Sequence, residues 1–272
     1  MTDQSTLDQA KVDAFMHKVA GDLSGAFVTA MCVLGDRLGL FKTLATQGPA
    51  TSAELATRAG VNERYAREWL SAMASAGYLA YEPASGRFTL PPEHAPALAH
   101  EGGPLFVGGI YHEFPAMLQP LDHLTQAFRH GGGIPQAAYD TQLWEGFERF
   151  TRTWFDNLLL PQWIPAVPQV QAQLERGALV ADVGCGHGRA LLTLAHAFPH
   201  SRYVGYDVFA PAVTRAQANA EAAGVAERVQ FRTLDVVQGL SEQYDLITTF
   251  DVVHDMVNPR GCLLYTSPSP RD

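Results

Sequence analysis

The sequence predicts an α/β fold in which an all-helical N-terminal module precedes a doubly wound parallel sheet. Two observations support this prediction. Apolar residues recur every three or four positions through much of the first 77 residues, and strand-like runs alternate with helical segments after Ala178. A chain of 272 residues, 47% hydrophobic and 17% charged, is long enough for two modest domains. We expect boundaries at 1–100, 101–170 and 171–261, with 262–272 set apart.

The first predicted elements are helices between Leu7 and about Ala45, whose apolar spacing indicates a buried stripe. Thr51 and Glu54 have the spacing of a capping box, which predicts the start of the next helix. Gly48 and Pro49 separate the two segments.

The segment "VNERYAREWLSAMASAG" predicts a further helix that begins after Asn62 and ends at Gly77. Its predicted inner face is Tyr65, Trp69, Met73 and Ala76. Two strand-like runs around a Pro-Ala-Ser-Gly turn then predict a hairpin, in "YLAYEPASGRFTL". Helix, turn, helix and hairpin together indicate a winged helix.

Residues 101–170 are predicted to be a helical linker that lines a pocket, because they are rich in Pro, Gly and aromatic residues. Five aromatic residues fall on one side of a helical wheel: Trp144, Phe147, Phe150, Trp154 and Phe155. We expect "PQWIPAVPQV" to end this helix. For any one of these aromatic side chains, core packing is the more frequent explanation.

Composition restricts the partners of the chain. The net charge of −9 opposes binding to nucleic acid or to an anionic membrane. The N-terminus carries acidic residues and lacks an apolar signal core, and we expect no membrane-spanning run. Three widely spaced cysteines, Cys32, Cys185 and Cys262, fit neither a disulfide framework nor a zinc cluster. These features favour a cytoplasmic protein.

The most informative stretch is "LVADVGCGHGRALLTLA", in which an apolar strand is followed by Asp182, three glycines and an apolar helix. Glycines at Gly184, Gly186 and Gly188 allow the backbone to turn tightly and to approach a ligand at the helix N-terminus. The dinucleotide fingerprint requires a third glycine where this chain has Arg189, which weakens a nicotinamide or flavin hypothesis.

Acidic residues follow the next three predicted strands. Asp207 ends "YVGYDVF", where a carboxylate can accept hydrogen bonds from both ribose hydroxyls of a nucleotide. Asp235 ends the third strand and Asp251 the fourth. Any one of these side chains taken alone would be structural about as often as functional.

The spacing D-x-G-x-G-x-G resembles the first motif of class I S-adenosylmethionine-dependent methyltransferases, whose sheet is Rossmann-like. The resemblance implies S-adenosyl-L-methionine as cofactor, with adenine near the end of the third strand and the methionine part near Asp251. It implies these cofactor-binding residues: Asp182, Gly184, Cys185, Gly186, Gly188, Asp207, Val208, Leu234, Asp235, Val236 and Asp251. Cys185 and His187 are expected to contribute backbone rather than side-chain groups.

The segments "LGDRLGLFKTLA" and "ELATRAGVNERYAREWLSAMASAGYLAYEPASGRFTLPPEHAPAL" resemble the N-terminal region of bacterial two-domain methyltransferases with a winged helix, the mycobacterial type included. That resemblance implies a homodimer formed through the N-terminal domain and a small-molecule methyl acceptor. The alternative is a winged-helix transcriptional regulator that binds S-adenosylmethionine or DNA. Residues 1–100 hold eight Lys or Arg and ten Asp or Glu, and Arg64 and Arg67 are matched by Glu63 and Glu68, which disfavours DNA binding.

Methyl transfer to a hydroxyl oxygen requires positioning, exclusion of water and removal of a proton. No metal is expected, because the ten histidines show no close ligand pattern. The candidate bases are His254, just beyond the fourth strand, and His112 beside Glu113 in "YHEF". Plant enzymes of similar layout carry their base after a fifth strand, which this chain lacks.

The chain ends with "CLLYTSPSPRD", which matches one translation of an adapter used in transposon-based sequencing libraries. A class I methyltransferase sheet has seven strands, whereas four are predicted here. We therefore expect residues 262–272 to be an assembly artefact on an interrupted gene, and the chain as written to be inactive. The alternative is a natural Ser/Pro-rich tail.

Overall fold

The structure is a computed structural model that describes residues 7–240, 242–256 and 258–261. The chain divides into two compact units between Leu118 and Gln119, which places the division inside the predicted stretch 101–170. The adapter-like residues 262–272, Cys262 among them, lie outside the described residues.

The N-terminal unit is helical apart from one hairpin. Its helices are α1 (Gln9–Arg37), α2 (Leu40–Gln47), α3 (Ser52–Ala59), α4 (Glu63–Ser75), α5 (Ala95–Leu98) and α6 (Gly108–Leu118). Between α4 and α5, strands β1 (Ala80–Glu82) and β2 (Arg87–Thr89) pair antiparallel. The order of helices followed by a hairpin confirms the predicted winged-helix arrangement.

The helix starts follow the local sequence. Thr51 accepts a hydrogen bond from the Glu54 amide while the Glu54 carboxylate accepts one from the Thr51 amide, which confirms the predicted capping box of α3. Asn62 caps α4 through the Arg64 amide. Gly77 follows the end of α4 with φ of 79°, a conformation that favours glycine.

The buried face of α4 differs from the predicted one. Ala66, Trp69, Leu70 and Met73 are buried, which is the i, i+3, i+4, i+7 pattern of one helix face. Tyr65 is 76% exposed, so its assignment to the inner face is wrong. Because a tyrosine side chain has an apolar ring and a polar hydroxyl, the sequence alone does not show whether Tyr65 is buried or exposed.

The predicted buried stripe of α1 is only partly correct. Cys32, Val33 and Gly35 near its C-terminal end are buried, and the indole of Trp69 donates a hydrogen bond to the Met31 carbonyl oxygen. Earlier apolar positions of α1 are exposed, and four of them share one face through spacings of seven, four and seven residues: Met16, Leu23, Phe27 and Leu34.

By length and composition α1 is also apolar enough to cross a membrane, contrary to our expectation of no such run. Soluble core helices and signal sequences pass the same test. The α1 sequence carries Lys18 and Asp22, which form an ion pair on its exposed surface.

The second unit is built around a parallel sheet. It contains helices α7 (Leu121–His130), α8 (Thr141–Trp154), α9 (Pro168–Arg176), α10 (Arg189–Ala197) and α11 (Ala210–Ala222), and strands β3 (Leu179–Val183), β4 (Arg202–Asp207), β5 (Val229–Thr233) and β6 (Leu246–Thr249). Short 3₁₀ turns cover Gln136–Ala138, Val236–Gln238 and Val253–Asp255.

The strand order is β5-β4-β3-β6, and every pairing is parallel. All four strands that the sequence predicted are therefore present. Parallel strands joined by helical crossovers place their carboxyl ends at one edge of the sheet. This edge collects the residues that follow β3, β4, β5 and β6.

One sheet face packs against helices in the main core of the unit, where Leu191, Leu194, Tyr203 and Val213 are buried. The other face forms a smaller core with Val183, Val204 and Tyr206 among its buried members. Because both faces are covered, β3 and β4 consist largely of buried residues.

The aromatic helix ends inside the predicted stretch, because "PQWIPAVPQV" covers 161–170 and the last helical residue is Trp163. After Trp154 it continues as a π-helical segment, Phe155–Trp163, that contains Pro161. A π-helix shifts the hydrogen-bonding pattern by one residue and often occurs at functional sites. The buried positions of α8 are Leu143, Gly146 and Thr153, so its aromatic residues flank its buried face rather than forming it.

Candidate functional site

The loop from Gly184 to Gly188 connects β3 to α10 at the carboxyl edge of the sheet. Its three glycines have φ of 72°, 51° and 84°, which side chains other than glycine rarely adopt. The amides of Gly184 and Cys185 both donate to the Tyr206 carbonyl oxygen, at 2.8 and 3.0 Å. These bonds hold the loop against the end of β4.

Close packing reinforces the need for glycine at two of the three positions. A Cβ at Gly184 would lie 2.3 Å from the Val252 side chain, and one at Gly188 would lie 2.4 Å from Phe231. A Cβ at Gly186 would meet nothing within 4 Å. The loop is therefore packed at both ends and open in the middle.

Asp207 lies at the end of β4 and binds this loop. Its Oδ2 accepts a hydrogen bond from the Gly186 amide at 2.9 Å, and its Oδ1 accepts one from the Phe209 amide at 2.9 Å. Each carboxylate oxygen keeps acceptor capacity for a further donor. The neighbouring Val208 is 56% exposed, which leaves an apolar surface beside the carboxylate.

Asp182 is buried in β3, with 2% of its surface exposed. Its Oδ1 accepts a hydrogen bond from the Thr248 hydroxyl of β6 at 2.8 Å. Burial raises the pKa of the Asp182 carboxyl to about 7, the Thr248 bond opposes that rise, and the nearby Asp207 adds to it. Thr248 has no distinguishing motif in the sequence and was not predicted as a site residue.

Cys185 is free and buried. Burial raises the pKa of its thiol, and the charges of Asp182 and Asp207 raise it further. The thiol is therefore held in its protonated, weakly nucleophilic form. Only the backbone of Cys185 is placed to serve a ligand in the loop.

The end of β5 is tied to the end of β4, because the Leu234 amide donates to the Asp207 carbonyl oxygen at 2.9 Å. Asp235 is exposed and caps the following 3₁₀ turn through the Val237 amide at 3.1 Å. Val236 is buried in the smaller core. Leu234 thus lies beside the glycine loop, whereas the Asp235 side chain is engaged with its own turn.

An open cleft of about 400 Å³ lies beyond the end of β6. It is lined by Thr151, Trp154, Phe155, Leu158, Trp163, Thr249, Phe250 and Asp251. Phe250 stacks on Trp163 with ring centroids 5.9 Å apart and meets Phe155 edge-on at 5.2 Å. The α8 helix and the π-helical segment therefore supply one wall of this cleft and the end of β6 the other.

Asp251 has φ of 54°, the only positive value at a residue other than glycine among the described residues. Aspartate tolerates this conformation better than most residues, and such positions are concentrated at functional sites. Val252, the next residue, packs over Gly184. Asp251 therefore connects the aromatic cleft with the glycine loop.

His254 lies in the 3₁₀ turn after β6, and its side chain is 63% exposed. Its Nδ1 is 3.7 Å from Asp251 Oδ1 and its Nε2 is 3.4 Å from Asp255 Oδ1. His254 thus borders the carboxylate that lines the cleft. Among described residues, no group of three or more His, Cys, Asp or Glu side chains is arranged to hold a metal ion.

Two charged contacts that the sequence did not reveal flank Gly188. His187 Nδ1 lies 2.6 Å from Glu148 Oε2 on α8, and Arg189 forms an ion pair with Asp156. These partners are 39 and 33 residues apart in the chain, so no local pattern indicates them.

Comparison with known families divides the chain in the same way as the structure. Residues 26–100 match the model of the Rv2258c-like winged HTH domain. Residues 181–267 match the model of the methyltransferase domain.

Solved structures with similar folds cover nearly the whole chain. The mitomycin 7-O-methyltransferase MmcR gives a TM-score of 0.68 at 21% identity, with 94% of this chain and 77% of that chain covered. Human N-acetylserotonin methyltransferase, solved in complex with SAM, gives a TM-score of 0.63 at 18% identity, with 93% and 74% covered. At these identities the likeness establishes the fold.

A curated relative matches over a shorter stretch. Methyltransferase ungE' of Aspergillus campestris is 35% identical over 88 residues. The match covers 31% of this chain and only 26% of that relative.

Proposed function

We propose that this chain, which joins an Rv2258c-like winged helix-turn-helix domain to a class I methyltransferase domain, transfers a methyl group from S-adenosyl-L-methionine to a small-molecule acceptor, at a hydroxyl oxygen. One observation carries the proposal. The glycine loop is bonded to Asp207 through the Gly186 amide, and its Gly184 packs on the segment that leads into an aromatic cleft. Methyl transfer requires a cofactor site next to an acceptor site, and here a glycine loop of the kind that binds nucleotides lies beside an apolar cleft.

The residues at the carboxyl edge fit the proposed cofactor. Gly186 is open to a ligand, Asp207 keeps acceptor capacity for ribose hydroxyls, and the exposed Val208 offers an apolar surface for adenine. When bound, S-adenosylmethionine supplies an electrophilic methyl group on a sulfonium that leaves as a neutral thioether. We assign its binding to Asp182, Gly184, Cys185, Gly186, Gly188, Asp207, Val208, Leu234, Asp235, Val236 and Asp251.

The aromatic cleft is the proposed acceptor site. Its walls are provided by Trp154, Phe155, Trp163 and Phe250, which exclude water and favour an apolar or aromatic acceptor. Thr249 and Asp251 are its polar members and can orient a hydroxyl group.

His254 is the proposed general base. It borders Asp251, whose carboxylate stabilises the imidazolium that forms when the imidazole takes the acceptor proton. In the chain continued past Gly261 as its genomic locus encodes it, we expect His254→Gln to lower methyl transfer about 100-fold while S-adenosylhomocysteine affinity stays within about twofold. Unchanged turnover in a radiolabelled-methyl assay would exclude His254 as the base.

The N-terminal unit is proposed to form a homodimer. Its exposed α1 face of Met16, Leu23, Phe27 and Leu34 is the kind of apolar stripe that a second copy covers. DNA recognition is not favoured, because Arg64 and Arg67 are paired with Glu68 and Glu63 on the same helix, each at 2.9 Å.

A cytoplasmic location is consistent with the thiols. Cys32 and Cys185 are both free and buried, as expected of a protein from a reducing compartment.

Isothermal titration with S-adenosylhomocysteine and S-adenosylmethionine tests the proposed cofactor. We expect binding to the wild-type chain and at least about a 30-fold loss of affinity in Asp207→Ala, because the carboxylate proposed to accept from the ribose hydroxyls is lost together with its hydrogen bond from the Gly186 amide. Asp122→Ala, at an exposed acid of α7, is the matched control. Absence of heat with either compound would overturn the proposal.

A further inference from the structure

Two helices outside the glycine loop, α8 and α11, form hydrogen bonds with His187 of the loop. His187, between Gly186 and Gly188, is nearly buried, with 13% of its side chain exposed. Its Nδ1–H donates to Glu148 Oε2 on α8 at 2.6 Å, and its carbonyl oxygen accepts from the Asn219 amide group on α11 at 3.0 Å. Helix α8 thus binds the side chain of His187, and helix α11 binds its backbone.

The Glu148 carboxylate is suited to this contact. Its bond to His187 lowers the pKa of Glu148, and the charges of His187, Arg215 and Arg189 lower it further, although partial burial opposes the change. Glu148 is therefore ionised at neutral pH and accepts a charge-assisted hydrogen bond.

A second contact fixes the other side of Gly188. Arg189 donates from Nε and Nη2 to Asp156 Oδ1 in the π-helical segment, and Arg152 of α8 donates to Asp156 Oδ2 at 3.2 Å. The residues before and after Gly188 are consequently both bound to the stretch formed by α8 and the π-helical segment.

The same stretch reaches the next strand end and the aromatic cleft. Trp144 packs on Phe209, with ring centroids 5.0 Å apart, and Phe209 donates its amide to Asp207. Trp154 and Phe155 line the cleft. One helical stretch therefore contacts the glycine loop, the loop after β4 and the cleft wall.

A loop with three glycines gains conformational entropy whenever it is not restrained, and this entropy is lost when a ligand orders it. Contacts that order the loop beforehand reduce that loss and increase affinity. Glu148 lies outside the loop and binds the side chain of His187, and Asp156 binds Arg189 at the start of α10.

We propose that Glu148 is a positioning residue that, through His187, keeps the glycine loop in its cofactor-binding conformation. The effect on affinity rests on the proposed cofactor. The effect of Glu148 on the conformation of the loop does not, and it is tested without a ligand.

Hydrogen-exchange mass spectrometry of the ligand-free chain measures the loop directly. We expect Glu148→Gln to accelerate amide exchange about tenfold in the peptide spanning Gly186 to Arg189, while peptides from β3 and β4 exchange as in the wild type. Glu175→Gln on α9, where the carboxylate accepts a hydrogen bond from Gln171 of the same helix, should leave the loop unchanged. Equal acceleration across both strands would show general destabilisation and overturn the positioning role.

Titration with S-adenosylhomocysteine then measures the consequence for affinity. We expect about tenfold weaker binding in Glu148→Gln and in His187→Gln, and no further loss in the double variant, because both substitutions replace the same charge-assisted hydrogen bond by a weaker neutral one. Full additivity, or wild-type affinity in Glu148→Gln, would overturn the inference. If the wild type itself does not bind, the proposed function fails, and the exchange experiment still decides whether Glu148 holds the loop.

Discussion

The two units of the chain differ in how far their carboxylates are hydrogen-bonded and their apolar surfaces are covered. In the sheet unit, Asp182 and Asp207 are both hydrogen-bonded within the unit. In the N-terminal unit, Glu113 of α6 is 5% exposed and its Oε2 has no hydrogen-bond partner among the described residues, while α1 leaves an apolar face uncovered. The contrast agrees with our proposals that the sheet unit holds the cofactor site and that the N-terminal unit associates through α1.

The largest expected effect concerns that surface. The variant Leu23→Glu/Phe27→Glu places two charges on the exposed face of α1 and should convert the proposed dimer to a monomer, because burying unpaired carboxylates is strongly unfavourable. Light scattering coupled to size-exclusion chromatography would show the mass halved. Ala14→Glu/Gly21→Glu, at other exposed positions of α1, is the control and should remain dimeric. A monomeric wild type would contradict the proposed association.

The next effect tests how tightly the sheet unit is packed around its loop. Gly184→Ala should lower the free energy of unfolding by about 3 kcal/mol. The new Cβ overlaps the Val252 side chain, and alanine at this position has an unfavourable positive φ. Gly186→Ala has an unfavourable φ but free space and should cost about 1 kcal/mol. Chemical denaturation of both variants measures the difference, and equal losses would show that Val252 moves away freely.

A smaller, pH-dependent effect distinguishes the buried Asp182. Since the pKa of its carboxyl rises from 3.8 to about 7 in the fold, the folded state binds this proton more tightly than the unfolded state does. Its stabilising contribution is complete below pH 3.8 and is lost as the pH rises toward 7. Relative to wild type, Asp182→Asn should therefore gain stability steadily between pH 4 and pH 8, on the order of a few kcal/mol. A constant difference in unfolding free energy across this range would contradict the raised pKa.

The smallest expected effect is at Glu113. Burial raises the pKa of its carboxyl to about 7 from 4.5, so wild-type stability should also fall between pH 4.5 and 7. Glu113→Gln should remove this fall and gain stability at pH 8 relative to pH 4, by somewhat less than Asp182→Asn because the pKa change is smaller. Thermal melts at the two pH values provide the measurement. If Glu113→Gln is instead destabilised more at pH 8, the carboxylate has a partner in the assembled protein.

The sequence predicted the parts of the fold that depend on local pattern. Strand ends at Asp182 and Asp207 were located because apolar runs alternate with helices and glycines follow the first strand. Thr51 and Asn62 were identified as helix caps because capping uses residues within three positions. The structure brings Asp182, Asp207 and the glycine loop together. The roles of Asp182 and Asp207 in cofactor binding remain proposals.

Features that depend on tertiary contacts were not predicted. Glu148 and His187 meet across 39 residues, and Thr248 is an ordinary strand residue until β6 pairs with β3. The helix ends near Pro161 as predicted, but the change to π-type hydrogen bonding over Phe155–Trp163 has no signal in the spacing of its residues. Helical spacing alone also cannot distinguish a face buried within one chain from a face available to another, as α1 shows.

The two described cysteines have a practical consequence. Cys32 is buried in the N-terminal unit and Cys185 beneath the glycine loop, and burial raises the pKa of each thiol. Alkylation of either sulfur therefore requires the structure around it to open. In a Cys262→Ser background, peptide mass spectrometry of the two alkylated cysteines would record opening of each unit separately in the same sample.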